Sequence, residues 1–228
     1  MGRSLRAEDG TALVVRHKDN RTPVRKVAAS ADRYERVARG RRAHTWPVLI
    51  LLPPSEKKAA QPGPAISVYT GVLYAGLGWA TLSKPAQALG AKSIAIISAK
   101  YGVLRALDVI APYKEKINTA LMREGVSAQL SAMKSDVIID CRSSTYMGVW
   151  TPPYESCIEI KIFTHKDGVK KVITHMSKKT RGEVVRLLLQ SKNIPTTPRE
   201  VHAIVSEVFE CQLTAAFEKQ PWILEVIC

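Results

Sequence analysis

Three short, uninterrupted apolar runs punctuate the chain: Val48–Leu52 (VLILL), Ile94–Ile97 (IAII) and Val137–Asp140 (VIID). Runs of this length without alternation predict strands buried on both faces. Each turns polar at its end. The first passes into Pro53-Pro54-Ser55-Glu56-Lys57-Lys58, where two prolines stop the strand because they donate nothing to a ladder. The second passes into Ser98-Ala99-Lys100-Tyr101-Gly102 and the third into Cys141-Arg142-Ser143-Ser144-Thr145-Tyr146. Two later runs alternate, Ile158–Phe163 and Val169–Thr174, around His165-Lys166-Asp167-Gly168. Asp-Gly between alternating runs predicts a hairpin, here an antiparallel pair with one wet face, at the sheet edge or beyond it.

Helical spacing fills the intervals. Leu73, Leu77 and Ala80 share a face over Val72–Leu82, and Ser83-Lys84-Pro85 opens a short helix that Gly90 closes. Lys116–Lys134 reads as helix interrupted at Gly125, and Glu183–Gln190 as a helix starting after Gly182. Thr197-Pro198-Arg199-Glu200 is a capping box opening a helix to about Val208. Cys211–Phe217 and Trp222–Ile227 form a closing strand pair around Lys219-Gln220-Pro221, while Gln61-Pro62-Gly63-Pro64 marks irregular backbone within Ala59–Ala65. The fold expected over residues 48–228 is one compact α/β domain: a mixed sheet of buried strands plus an antiparallel hairpin, with helices packed around it. At 228 residues and 46% hydrophobic, the chain can bury one sizeable core.

Charge singles out the first segment. Residues 1–47 carry 12 Lys and Arg against 5 Asp and Glu, a net +7 that is half of the chain's +14. That segment reads as a basic, disordered extension, with at most a short amphipathic helix over Val24–Val37. It is either an upstream addition to the working protein or an arm for nucleic acid. A basic balance favours polyanion partners, nucleic acid or phosphorylated ligands. Met1–Asn20 lacks the apolar centre of a leader and no run spans a bilayer, so a cytoplasmic protein without membrane partners is expected. The four cysteines are scattered and the five histidines show no ligand spacing, so free thiols, no metal and no cofactor are expected.

The candidate chemistry lies in the polar stretches just past the buried strands, because ligands bind outside the carboxyl ends of strands in open α/β sheets. These stretches and their neighbours supply Ser55, Lys58, Tyr69, Ser98, Lys100, Tyr101, Arg105, Tyr113, Lys114, Arg142 and Ser143. Arg142 would offer a planar fork to a phosphate or carboxylate, and Asp108 would orient Arg105. The tyrosines would stack on a base or donate hydroxyls, core tyrosines being the commoner outcome. Lys178, Lys179 and Arg181 precede the expected helix start at Gly182; they make either an anion site on its N-terminal amides or a solvated basic turn. There is no P-loop, GxGxxG, GxSxG or zinc-finger spacing, so no motif dictates a reaction.

Five segments in this order resemble the YaaA family: Val48–Lys58, Tyr69–Leu77 (YTGVLYAGL), Ser98–Lys114 (SAKYGVLRALDVIAPYK), Val137–Trp150 and His175–Leu189 (HMSKKTRGEVVRLLL). The resemblance implies a bacterial cytosolic protein that protects against peroxide by limiting iron-dependent oxidative damage. It also implies a compact α/β domain with a positively charged cleft, and DNA binding through a helix-hairpin-helix element. The chain departs from the family pattern in two places. Only Ala59–Val68 separates Lys58 from Tyr69, where the family carries a longer helical region, and the usual Ser-Pro-x-Lys-Thr reads Pro-Pro-Ser-Glu-Lys-Lys here. Two functions of different class follow. One is a stress factor binding DNA or another anionic ligand in the cleft. The other is an enzyme acting there on a phosphorylated or nucleobase-like small molecule, with Lys100 as the reactive amine.

Overall fold

A computed structural model describes residues 46–166, 169–171 and 174–228. The expectations for the basic extension, for Val24–Val37 and for the Asp167-Gly168 turn itself lie outside the described residues, apart from Trp46 and Pro47.

The strands are β1 (Trp46–Leu52), β2 (Gly63–Pro64), β3 (Ile94–Ser98), β4 (Gly102–Arg105), β5 (Val109–Ile110), β6 (Ser135–Asp140), β7 (Cys157–Lys166), β8 (Val169–Lys171), β9 (Glu210–Thr214) and β10 (Trp222–Ile227). The helices are α1 (Ala65–Val68), α2 (Val72–Leu77), α3 (Lys84–Ser93), α4 (Thr119–Ser131), α5 (Ser144–Met147), α6 (Thr174–Gln190) and α7 (Pro198–Ser206). The main sheet runs β4-β3-β1-β6-β7-β10-β9, with β8 paired to β7, and β2 and β5 form a small antiparallel sheet of their own. The neighbours β3, β1, β6, β7 and β10 are all parallel, while β4 and β9 close the two edges antiparallel. The fold is the expected α/β arrangement with a mixed sheet.

The apolar runs are central strands because helices cover them on both faces. Val48, Ile50, Leu52, Ile94, Ile96, Val137 and Ile139 pack with α2, α3, α6 and α7. Leu49, Leu51, Ala95, Ile97 and Ile138 turn the other way, onto Val126 and Leu130 of α4. That second layer reaches only as far as Cys157, which explains the alternation of β7. Ile158, Ile160 and Ile162 are buried under the first helical layer, whereas Glu159 and Lys161 are part-exposed on a face with no such cover. The expected antiparallel pair forms, beyond the path of the main sheet, but over a shorter stretch than expected. β7 pairs antiparallel with β8 only over Thr164–Lys166, while Ile158–Phe163 lies inside the sheet beside β10.

Three helix expectations also change. The helix expected over Val72–Leu82 stops at Gly78, whose left-handed φ of 58° caps α2 before a 3-10 turn over Trp79–Thr81. Arg186 then donates to the carbonyl of Leu77 (3.2 Å), at the end of the helix, and to that of Gly78 (3.0 Å), which also accepts from Thr81. Helix α4 continues through Gly125. Most consequentially, α6 begins at Thr174, so residues 178–182 are helical rather than the turn before a helix. Gly182 is needed there for a close helix crossing. A Cβ on it would lie 1.9 Å from the Leu73 carbonyl oxygen of α2, and one on Gly76 would lie 2.3 Å from that of Lys179. The capping box at Thr197 is present on both sides, with Thr197 accepting from the Glu200 amide and Glu200 accepting from the Thr197 amide.

Candidate functional site

Parallel registration places the carboxyl ends of β1, β3 and β6 at one edge of the sheet, and the chain leaves β1 toward β3 but β6 toward β7. That divergence beside β1 is the topological switch at which α/β sheets bind ligands. The segment after β1 folds back on itself. Thr70 N–H donates to the Lys57 carbonyl (3.0 Å), Ala59 N–H to that of Val68 (2.8 Å), and Lys58 bridges Tyr69. Ser55 is buried against Gly71, where a Cβ would come within 2.2 Å of its hydroxyl oxygen. Glycine in the Tyr69-Thr70-Gly71 stretch therefore makes room for Ser55.

A buried hydroxyl chain joins this segment to the end of β3. Ser98 Oγ accepts the amides of Lys100 (3.2 Å) and Tyr101 (3.1 Å). Both its lone pairs are then filled, so its own O–H donates to Tyr113 Oη at 2.8 Å. Tyr113 and Tyr69 share a further 2.8 Å hydrogen bond. The rings pack with their hydroxyls. Tyr113 meets Tyr69 edge-on at 6.3 Å and Tyr101 edge-on at 5.6 Å, and Tyr69 tilts against Tyr74 at 5.4 Å. Burial pushes the Tyr69 and Tyr74 phenols well above their ordinary value, and that of Tyr146, past the end of β6, up to about 12.

Two lysines border this tyrosine cluster. The Lys58 ammonium lies 4.1 Å from the Tyr113 ring centroid and 5.7 Å from that of Tyr69. Among the described residues it makes no salt bridge, its polar contact being the Glu56 carbonyl at 3.5 Å. Burial pulls its pKa below the ordinary lysine value, against the opposing attraction of Glu115 and Glu56. Lys100 is paired with Glu115 at 2.9 Å. That hydrogen bond raises the lysine and lowers the carboxyl, so both are charged at neutral pH. A Lys100 held as ammonium is suited to binding an anion rather than to acting as a nucleophile.

Of the residues expected from sequence, Ser55, Lys58, Tyr69, Ser98, Lys100, Tyr101 and Tyr113 thus come together. Lys114 follows directly, its amide donating to Glu115 Oε2 at 3.0 Å, and its side chain is exposed. Others go elsewhere. Arg105 sits at the Ala95 level of β4 and directs its guanidinium to the Lys92 carbonyl and Met133 Sδ. Asp108 accepts from the Arg105 backbone amide at 2.8 Å and so shapes the turn. Arg142 is 1% exposed, and its guanidinium grips both Asp140 oxygens (2.7–3.2 Å) and the carbonyls of Tyr146 and Trp150. Its fork is turned into the protein, not offered to a ligand. Ser143 precedes α5 without a side-chain capping bond. On α6, Lys178 is exposed, Lys179 pairs with Glu183 at 3.0 Å, and Arg181 donates to the Ile160 carbonyl at 3.1 Å. The anion site expected at a helix start there has no such start, since residues 178–181 lie past the first turn of α6.

Sequence reasoning missed Glu115, Tyr146 and Tyr74. Glu115 alone left a signal, an acid between Lys114 and Lys116 in a stretch chosen for its cations. Among the described residues, no group of three or more His, Cys, Asp and Glu side chains is placed to hold a metal, and no helix is long and apolar enough to cross a membrane.

Comparison with known proteins agrees with the motif order. The sequence model of a family described as "Peroxide stress protein YaaA" matches residues 30–213. A UPF0246 protein of Streptomyces coelicolor is 30% identical over 72% of this chain and 68% of its own length. One from Corynebacterium efficiens is 32% identical over 63% of this chain and 62% of its own. One from Roseobacter denitrificans is 27% identical over 57% of each. The chain therefore spans between 57% and 68% of the length of these relatives.

Proposed function

This chain belongs to the peroxide stress protein YaaA family, and on that premise we propose that it limits iron-dependent oxidative damage by binding an anionic ligand, DNA first, at the ends of β1 and β3. The observation that carries the reading is Lys58. It is a half-buried ammonium resting on Tyr113, with no salt bridge among the described residues, beside Lys100 and the exposed Lys114. A cation partly withdrawn from water, with no carboxylate at salt-bridge distance among the described residues, gains more from an incoming phosphate than a fully solvated one does. The net charge of +14 steers polyanions toward the molecule in the same sense.

Fluorescence anisotropy with a labelled duplex, at several salt concentrations, tests this. The expected result is binding that weakens with salt, with Lys58→Ala weakening it further and flattening the log–log slope by about 0.9. In cells, the chain should rescue a deletion strain challenged with peroxide, and Lys58→Ala should not. Absent or salt-insensitive duplex binding would reject the reading. It would favour chemistry on a small phosphorylated or nucleobase-like molecule, for which Lys58, lowered by burial, is better suited than Lys100.

A further inference from the structure

Glu115 occupies an unusual position for a surface carboxylate beside a candidate anion site. Its Oε1 takes the Lys100 ammonium at 2.9 Å, and its Oε2 takes the backbone N–H of Lys114 at 3.0 Å. Both oxygens are thus engaged, on a side chain that stays half-exposed. It also attracts Lys58, the second cation of the cluster. Two tyrosine rings connect these groups: Lys58 rests on Tyr113, two residues before Glu115, and Lys100 lies 5.7 Å from the ring centroid of Tyr101, which meets Tyr113 edge-on. A planar anion bound by an ammonium on one oxygen and a backbone amide on the other presents the same chemistry as two oxygens of a phosphate.

We propose that Lys58, Lys100 and the Lys114 amide form one phosphate-oxygen subsite, and that the Glu115 carboxylate holds the phosphate's place until a phosphate-bearing ligand displaces it. The proposal rests on the anion-binding reading above and deepens it, naming the group recognised and the residue that opposes it. Glu115 then acts as a threshold. A lone small anion must compete with a tethered carboxylate, whereas a polyanion with further contacts can overcome it. Discrimination between weak and multivalent ligands follows from the competition, because the tethered acid is present at a high effective concentration. About half of each side chain is exposed, 41% for Lys100 and 49% for Glu115, so the pair can part without disturbing the core.

The test compares full-length wild type, Glu115→Gln, Lys100→Ala, the Glu115→Gln/Lys100→Ala double variant and Glu207→Gln, using the same labelled duplex over a salt series. Glu207 closes α7, a helix that contributes nothing to the cluster, and its substitution makes the same change in net charge. The expected result is that Glu115→Gln binds about fivefold tighter than wild type, the scale of one released surface ion pair. Its salt slope should match that of wild type, because the same cations meet phosphate in both complexes. In the Lys100→Ala background the gain should vanish, and Glu207→Gln should match wild type. Wild-type binding with no gain in Glu115→Gln, or an equal gain in Glu207→Gln, would overturn this proposal alone. Binding by neither wild type nor Glu115→Gln would overturn the anion-site reading and this proposal with it.

Discussion

Replacing Arg142 with alanine separates a structural arginine from a ligand-binding one. The guanidinium donates three bonds to the Asp140 carboxylate, at 2.7, 2.9 and 3.2 Å, and one each to the carbonyls of Tyr146 (3.2 Å) and Trp150 (3.1 Å). Asp140 is only 4% exposed. Alanine would leave that carboxylate buried without its cation, and breaking a buried pair from one side costs about 3–5 kcal/mol. The two orphaned carbonyls add to this, but water entering the vacated space offsets part of it, so about 4 kcal/mol is expected. For a domain of this size that corresponds to a fall in Tm of about 8–16 °C, and much of a total stability of about 5–15 kcal/mol. Urea unfolding followed by tryptophan fluorescence reads the change directly. Removing both charges, as Asp140→Asn with Arg142→Met, should cost less than the sum of the single changes, because the two groups interact. A stable Arg142→Ala protein, within about 1 kcal/mol of wild type, would refute the structural assignment and return Arg142 to the ligand site.

The two helical glycines should respond with opposite signs. Gly182→Ala drives a Cβ into the Leu73 backbone and should cost about 3 kcal/mol or more, whereas Gly125→Ala meets nothing within 4 Å and should gain about 0.5–1 kcal/mol; urea midpoints check both. Alkaline pH should destabilise the protein through Tyr69 and Tyr74. Their phenols stay protonated when folded but ionise near 10.0 when unfolded, so the native state holds more protons and stability falls as pH rises above that value. Spectrophotometric titration at 295 nm should find these two ionising only on unfolding; their titration in the native state would contradict the buried placement. Alkylation of the native protein should label exposed Cys228 first and spare Cys141, which burial pushes up to about 12, and Cys157, which burial also raises; peptide mapping before and after denaturation reads the order.

What could be read in the sequence were features whose cause is local. Continuous apolar runs marked β1, β3 and β6 because each is covered on both faces, and the Thr197 box marked α7 because its bonds close within four residues. The meeting of Ser55, Lys58, Ser98, Lys100 and Tyr113 was foreseeable from the strand-end rule, since parallel neighbours bring their carboxyl ends to one edge. The start of α6 was not. Three cations and a glycine at residues 178–182 look like a turn, and only the close crossing with α2 explains a glycine inside that helix. Arg142 misled for a related reason. Its partner Asp140 lies two residues earlier on the same side of an extended segment, a spacing that pointed inward as much as toward a ligand. The alternation of β7 recorded one missing helical layer, which sequence alone cannot distinguish from a sheet edge.

Backbone hydrogen exchange of the full chain, with and without saturating duplex, tests the placement of the functional surface most directly. The account predicts slowed exchange over residues 55–58, 98–101 and 113–115. Protection confined to residues 178–186 or to the first 41 residues, with those three stretches unchanged, would contradict it.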